Sequence, residues 1–285
     1  MKNYTQAPLP FMGQKRRWNK EFKTALLKEF GDCHTFIDLF GGSGLLSHFT
    51  HTVRPDATII YNDYDGYVER LAHIDTTNRL LAELRTILNK CRDNQRITDP
   101  ERTHILDLFR LYESRGEFVD YISISNSILF SGKYATTLGE MKAQTFYNRI
   151  RTIDFNADDY LTGIDIVHCD YRQLVAKYKD KDGVCFIADP PYLSTQTTPY
   201  KGYWRLSDYL DVLTTIKGSN YIYFTSTKSN LIELCDWLEQ EGSATLNPLH
   251  GAERLNKYES LNYSASYIEV MLYKHKLIEE RRNAA

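Results

Sequence analysis

The sequence predicts an α/β fold in which sheet strands buried on both faces are interrupted by a long helical insertion. Three observations carry this prediction. Short apolar runs rich in β-branched and aromatic residues recur at 35–40, 58–62, 164–169, 184–188 and 221–226, and near-continuous apolar runs mark strands covered on both sides. Between the second and third runs, 66–160 shows helical periodicity and is too long for a simple crossover. The first run ends in a glycine-rich turn, as in α/β sheets that bind a ligand at a strand's carboxyl end.

The elements follow in order. After the strand 35–40 (TFIDLF) and its glycine turn, a helix is expected from Leu45, and then the strand 58–62 (TIIYN). Within the insertion, Leu80, Leu81, Leu84, Ile87 and Leu88 share one helical stripe. Asp99-Pro100-Glu101 reads as a helix start, and Ile105, Leu106, Phe109 and Tyr112 continue that helix's apolar face. Two weaker strands are expected at 244–247 and 266–273; the latter alternates and turns Glu269 inward, as an edge or antiparallel strand would. The expected domains are therefore 1–65 with 161–285, and 66–160 as the insertion.

Length and composition suit a globular chain of one large or two modest domains. No apolar run is long enough to span a membrane, and no signal-peptide core follows Met1. Cys33, Cys91, Cys169, Cys185 and Cys235 are scattered and never in a C-x-x-C pair, which argues for a reducing cytoplasm and against a disulfide framework or a zinc site. The net charge of −2 does not announce a polyanion partner. Charge is nonetheless concentrated: Lys15, Arg16, Arg17, Lys20, Lys23 and Lys28 stand against Glu21 alone, and Lys133, Lys142, Arg149 and Arg151 against Glu140. Such patches can face a polyanion, although from charge alone two solvated helix faces are the preferred reading.

Chemistry concentrates at the strand ends. Asp38-Leu-Phe-Gly-Gly-Ser-Gly44 places Phe40, Gly41, Gly42, Ser43 and Gly44 in a turn that a ligand can approach closely. Asp63 ends the next strand, about 20 residues on, where an acid accepts hydrogen bonds from ribose hydroxyls. The spacing Gly42-x-Gly44-x-x-Ser47 lacks the third glycine of a dinucleotide fingerprint. Asp38 would repel a pyrophosphate and attract an ammonium, which favours S-adenosylmethionine over a nicotinamide dinucleotide. Asp170 and Tyr171 end the third strand; the acid could accept from an adenine amine, with the ring alongside, or could simply cap the following helix.

The run 184–188 ends in Asp189-Pro190-Pro191-Tyr192. Prolines cannot continue a central strand, so the chain leaves the sheet there on a rigid turn. An exocyclic nucleobase amine is a poor nucleophile because its lone pair is delocalised. Two acceptors aimed at its hydrogens, the Asp189 carboxylate and the Pro190 carbonyl, favour a tetrahedral nitrogen. Tyr192 could stack on the base, and a base inside a duplex would have to be flipped out to reach the turn. There is no Pro-Cys pair to supply a thiolate for attack at a cytosine ring carbon.

These motifs, with Pro10-Phe11-Met12-Gly13-Gln14-Lys15 and Asn62-Asp63, occur in the order of the Dam-like adenine-N6 DNA methyltransferases, which the chain resembles. The resemblance implies a Rossmann-like, seven-stranded, mostly parallel sheet with a terminal antiparallel strand, and a helical target-recognition insertion. It implies S-adenosylmethionine as cofactor, covered by Phe11 and Lys15, with Asp63 on its ribose, and double-stranded DNA as partner. Tyr200, in Tyr200-Lys-Gly-Tyr-Trp204, resembles part of a loop over the flipped base, with core packing as the competing reading of Trp204. Ile124–Lys133 departs from the family's recognition segment, so no target sequence carries over. Lys133, Arg149 and Arg151 are candidates for DNA contacts, or ordinary surface charges. Cytosine-N4 transfer, an RNA substrate and a catalytically idle DNA-binding module remain as alternatives, and a partner restriction endonuclease leaves no signal in the sequence.

Overall fold

The computed structural model describes residues 2–130, 133–191, 204–242, 246–262 and 265–276. In chain order, a 3-10 turn (Arg16–Trp18) leads into α1 (Asn19–Glu29), β1 (Thr35–Asp38), α2 (Leu45–Val53) and β2 (Thr58–Asn62). Five helices follow: α3 (Tyr67–Ala72), α4 (Ile74–Ile87), α5 (Glu101–Ser114), α6 (Tyr121–Ile128) and α7 (Leu138–Lys142). The chain then forms β3 (Asp165–Val167), α8 (Tyr171–Tyr178), β4 (Val184–Ala188), α9 (Leu206–Ile216) and β5 (Asn220–Ser226). It finishes with α10 (Leu231–Gln240), β6 (Glu253–Asn262) and β7 (Ala265–Lys274). Two compact units result: Lys15–Asp65 with Leu161–Ala285, and Met1–Gln14 with Gly66–Tyr160.

In the first unit the seven strands form one sheet in the order β3-β2-β1-β4-β5-β7-β6. Strands β1 to β5 pair in parallel, and β7 runs antiparallel to both β5 and β6. All five residues of β4 are buried, as its unbroken apolar run requires of a central strand. Phe186, Val212, Leu213, Ile216, Tyr221 and Leu272 belong to the core on which α9 packs. Each such fully buried side chain is worth about 1.5–3 kcal/mol.

Of the two weaker strand expectations, 266–273 is β7 (Ala265–Lys274) and 244–247 needs correction. Of 244–247, residues 244 and 245 lie outside the described set, and Leu246 and Asn247 are not in a strand. The strand that precedes β7 is instead β6, whose sequence ERLNKYESLN carries no clean apolar alternation because it lies at the sheet's edge. Glu269 in β7 does turn inward: it is buried and accepts a hydrogen bond from Trp18 Nε1 at 2.9 Å.

In the second unit, α4 and α5 bury the stripes expected of them, including Leu80, Leu81, Leu84, Ile105 and Phe109. Asp99 does not cap α5 through a backbone N–H; it accepts from Thr103 Oγ1 at 2.6 Å. Asp120 caps α6 by accepting from the Ser123 N–H at 3.0 Å. The same carboxylate takes Arg70 Nε at 3.1 and 3.0 Å on its two oxygens, with both residues buried. Arg70 also donates to Pro10 O at 2.9 Å, and Leu9 N–H donates to the Tyr67 hydroxyl at 2.9 Å. These bonds are why the first fourteen residues belong with the helices.

Candidate active site

The strand order reverses between β1 and β4, which pair in parallel: β2 and β3 add on one side of β1, and β5 on the far side of β4. In open α/β sheets, ligands bind outside the carboxyl ends of the strands at such a switch point. Asp38 is the last residue of β1 and pairs in register with Ile187 of β4; Asp189 follows β4 directly. The neighbouring strand β2 ends at Asn62, followed by Asp63. Three carboxylates from three adjacent strands thus share one sheet edge.

Asp38 is completely buried. Ser47 Oγ, from α2, donates to its Oδ2 at 2.7 Å, whereas Oδ1 has no hydrogen-bond partner among the described residues. Burial is the main cause that pushes its pKa up to about 7; the Asp189 charge adds to the rise and the Ser47 hydrogen bond opposes it. A buried, unsatisfied carboxylate oxygen is costly to keep, and it fits a site completed by a cationic ligand.

The glycine turn divides its work. Gly42 and Gly44 have positive φ, 50° and 71°, and Gly44 precedes the first residue of α2. Gly41 is required for another reason: an added Cβ would lie 2.1 Å from the Tyr61 ring. A protein ring, not a ligand, therefore occupies that approach. The Tyr61 hydroxyl reaches Gly42 O at 2.8 Å and Asp63 Oδ1 at 3.0 Å, linking the turn to the acid of β2. Asn62 ties three strand ends together, donating to Leu39 O and Cys169 O and accepting from the Cys169 N–H. Sequence reasoning assigned no such bracing role to Tyr61 or Ser47; Tyr61 reads as an ordinary strand aromatic, and Ser47 stood out only as the missing third glycine.

Phe40 lies beside Tyr171, ring centroids 5.1 Å apart, and beside Trp204 at 5.5 Å. Trp204 also packs edge-on against Tyr209 and against the core. Asp170 caps α8 by accepting from the Arg172 N–H at 2.7 Å, and its carboxylate is otherwise exposed beside the Arg172 guanidinium. Pro190 is buried, and Tyr209 donates to the Pro191 carbonyl. Asp189 Oδ2 lies 2.7 Å from Lys15 Nζ, the two side chains being 17% and 3% exposed. Tyr192 and Tyr200 lie outside the described residues.

In the helical unit, Phe11 packs edge-on against Tyr67 at 5.8 Å. Residues 127–129 run beside 146–149, through Tyr147 N–H to Ile128 O and Arg149 N–H to Ser127 O. This sets Arg149 next to residues 127–129, with the Lys133 and Arg149 side chains exposed. Arg151 is half-buried, its guanidinium stacked 3.5 Å from the Phe155 ring centroid and donating to Ile153 O.

Among the described residues, no helix is long and apolar enough to cross a membrane. A Haemophilus influenzae protein named "Putative methyltransferase" is 34% identical over 284 residues, covering 96% of this chain and 93% of that one. Residues 11–212 match the family described as D12 class N6 adenine-specific DNA methyltransferase. That match takes in the glycine turn, Asp63, the helical insertion and the Asp-Pro-Pro turn, so the chain belongs to the D12 class of N6 adenine-specific DNA methyltransferases.

Proposed function

We propose that this methyltransferase takes its methyl group from S-adenosylmethionine and delivers it to the N6 amine of an adenine turned out of duplex DNA. The observation that carries the reading is the pairing, at the sheet's switch point, of Asp38 with an unpartnered oxygen and Asp189 on a proline-fixed turn. When bound, the cofactor supplies an electrophilic methyl on a sulfonium, together with an ammonium, a ribose and an adenine. Asp38 Oδ1 is suited to accept from the ammonium, and the turn Gly42–Gly44 gives backbone access. Asp63, held by Tyr61, is suited to the ribose, and Phe40 with Tyr171 to the cofactor's adenine. Asp170, already engaged as a helix cap, retains an exposed carboxylate for the adenine amine.

On the substrate side, the Asp189 carboxylate and Pro190 carbonyl accept the two amine hydrogens and free the nitrogen lone pair. The turn needs little rearrangement, so these acceptors are in place as positive charge develops on nitrogen. Lys133 and Arg149 are offered to phosphates or bases of the DNA, and Arg151 less readily because its guanidinium is already stacked. Titration with S-adenosylmethionine tests the cofactor: binding by the wild type and at least about tenfold weaker binding by Asp38→Asn are expected. Equal binding by the two proteins would overturn the assignment of Asp38. Faster methylation of a single strand than of the same sequence as a duplex would overturn the duplex assignment.

A further inference from the structure

An ammonium as buried as that of Lys15 is costly unless it is paired. Its surroundings are built for the purpose. Trp18, buried three residues on, donates its N–H to Lys15 O at 2.9 Å and its indole N–H to Glu269 of β7. The indole meets Phe224 of β5 edge-on, and Lys15 Nζ itself lies 5.8 Å from the Phe224 ring centroid. The 3-10 turn is thereby pinned to β5 and β7, with the ammonium directed at Asp189 Oδ2, 2.7 Å away.

Resting on the role proposed above for Asp189, we infer that Lys15 is a positioning residue of the transfer step. Its ammonium keeps Asp189 an ionised acceptor throughout, so that Asp189 orients the amine and does not take its proton. During transfer the N–CH3 bond forms as the S–CH3 bond breaks; the nitrogen becomes cationic and then loses one proton to water. A carboxylate already paired with an ammonium is a weak base for that proton but remains a strong hydrogen-bond acceptor. Among the described residues, the titratable groups facing Asp189 include Asp38 of β1 and Tyr223 of β5, with Tyr209 of α9 holding the carbonyl of Pro191. Among these, Lys15 supplies the cation. The family resemblance gives Lys15 to the cofactor; the ion pair adds this second duty.

The test is the pH dependence of kcat, at saturating cofactor and DNA, for wild type, Lys15→Arg and Lys15→Gln. Lys15→Gln is expected to lose about tenfold or more in kcat and to gain an acid limb, falling as pH falls, because a protonated Asp189 is a weaker acceptor than the carboxylate. Lys15→Arg should keep the wild-type shape. A Lys15→Gln profile of wild-type shape would overturn the inference, whatever its absolute rate. Should Lys15→Gln fail to fold, the solvent isotope effect on single-turnover transfer by the wild type decides. A value near unity is expected, and a normal effect of about 2 or more would place the proton in flight during transfer and overturn the inference. Absence of turnover by the wild type would overturn the adenine reading itself, whereas turnover with an unchanged Lys15→Gln profile overturns this inference alone.

Discussion

Asp38→Asn should change how the stability of the cofactor-free protein responds to pH. The carboxyl is fully buried, and burial raises its pKa to about 7 from an ordinary value of about 3.9. Below the ordinary value the group is protonated in the folded and unfolded chains alike and carries no penalty. As pH rises toward 7 the unfolded chain ionises first, and stability falls. Above 7 both states are ionised and the penalty is constant, at about 4 kcal/mol for a shift of this size. Between about pH 5.5 and about pH 8 the Asp38 contribution to that loss is roughly 2 kcal/mol. Asparagine does not titrate, so urea denaturation at those two pH values should show the wild type losing about 2 kcal/mol more than Asp38→Asn. The absolute stability of the variant is a poorer guide, because the new amide has to find its own acceptor. Equal pH dependence in the two proteins would refute the reasoning. The same linkage makes cofactor binding release a proton below about pH 7, if an ammonium pairs with the carboxylate. Calorimetry in two buffers of different ionisation enthalpy should detect this release in the wild type and not in Asp38→Asn.

Two further variants probe the framework of the site and of the helical unit. Gly41→Ala drives a Cβ to 2.1 Å from the Tyr61 ring, which should cost about 1–3 kcal/mol and weaken cofactor binding as the ring leaves Gly42 and Asp63. Adding Tyr61→Leu should recover part of the stability in thermal melts but not the binding. Arg70→Ala leaves Asp120 buried without its guanidinium, at a cost of about 3–5 kcal/mol. In denaturant melts it should be more damaging than Arg149→Ala, whose side chain is exposed.

Much of the site was legible because its residues sit where apolar runs stop. Asp38 ends a strand and Asp63 and Asp189 each follow one, all three strands announced by their composition, and parallel pairing aligns those ends at one edge. The helical stripes of α4 and α5 were legible for the same reason, since periodicity records a buried face. Strand β6 was not: an exposed edge strand needs no apolar alternation, and its pairing is set by β7. Nor could the sequence show that Tyr61 fills the space beside Gly41, because a strand aromatic looks the same wherever its ring points. The Lys15–Asp189 pair joins residues far apart in the chain, and only the folded sheet brings them together. Lys15 read by its charge as one of a run of cations and by resemblance as a cover for the cofactor; among the described residues it is one of the most buried charges. For Trp204 the bland reading proved sound in the fold, where the ring packs against Phe40, Tyr209 and the core.

The central claim is that the Asp-Pro-Pro turn directs a methyl group onto adenine N6. The measurement that tests it most directly is transfer of labelled methyl from S-adenosylmethionine to genomic duplex DNA, followed by digestion and nucleoside analysis, for wild type and Asp189→Ala. Label in N6-methyl-2′-deoxyadenosine from the wild type, and a loss of about 10²–10³-fold in the variant, is the predicted result. Label in N4-methyl-2′-deoxycytidine, or undiminished transfer by Asp189→Ala, would contradict it.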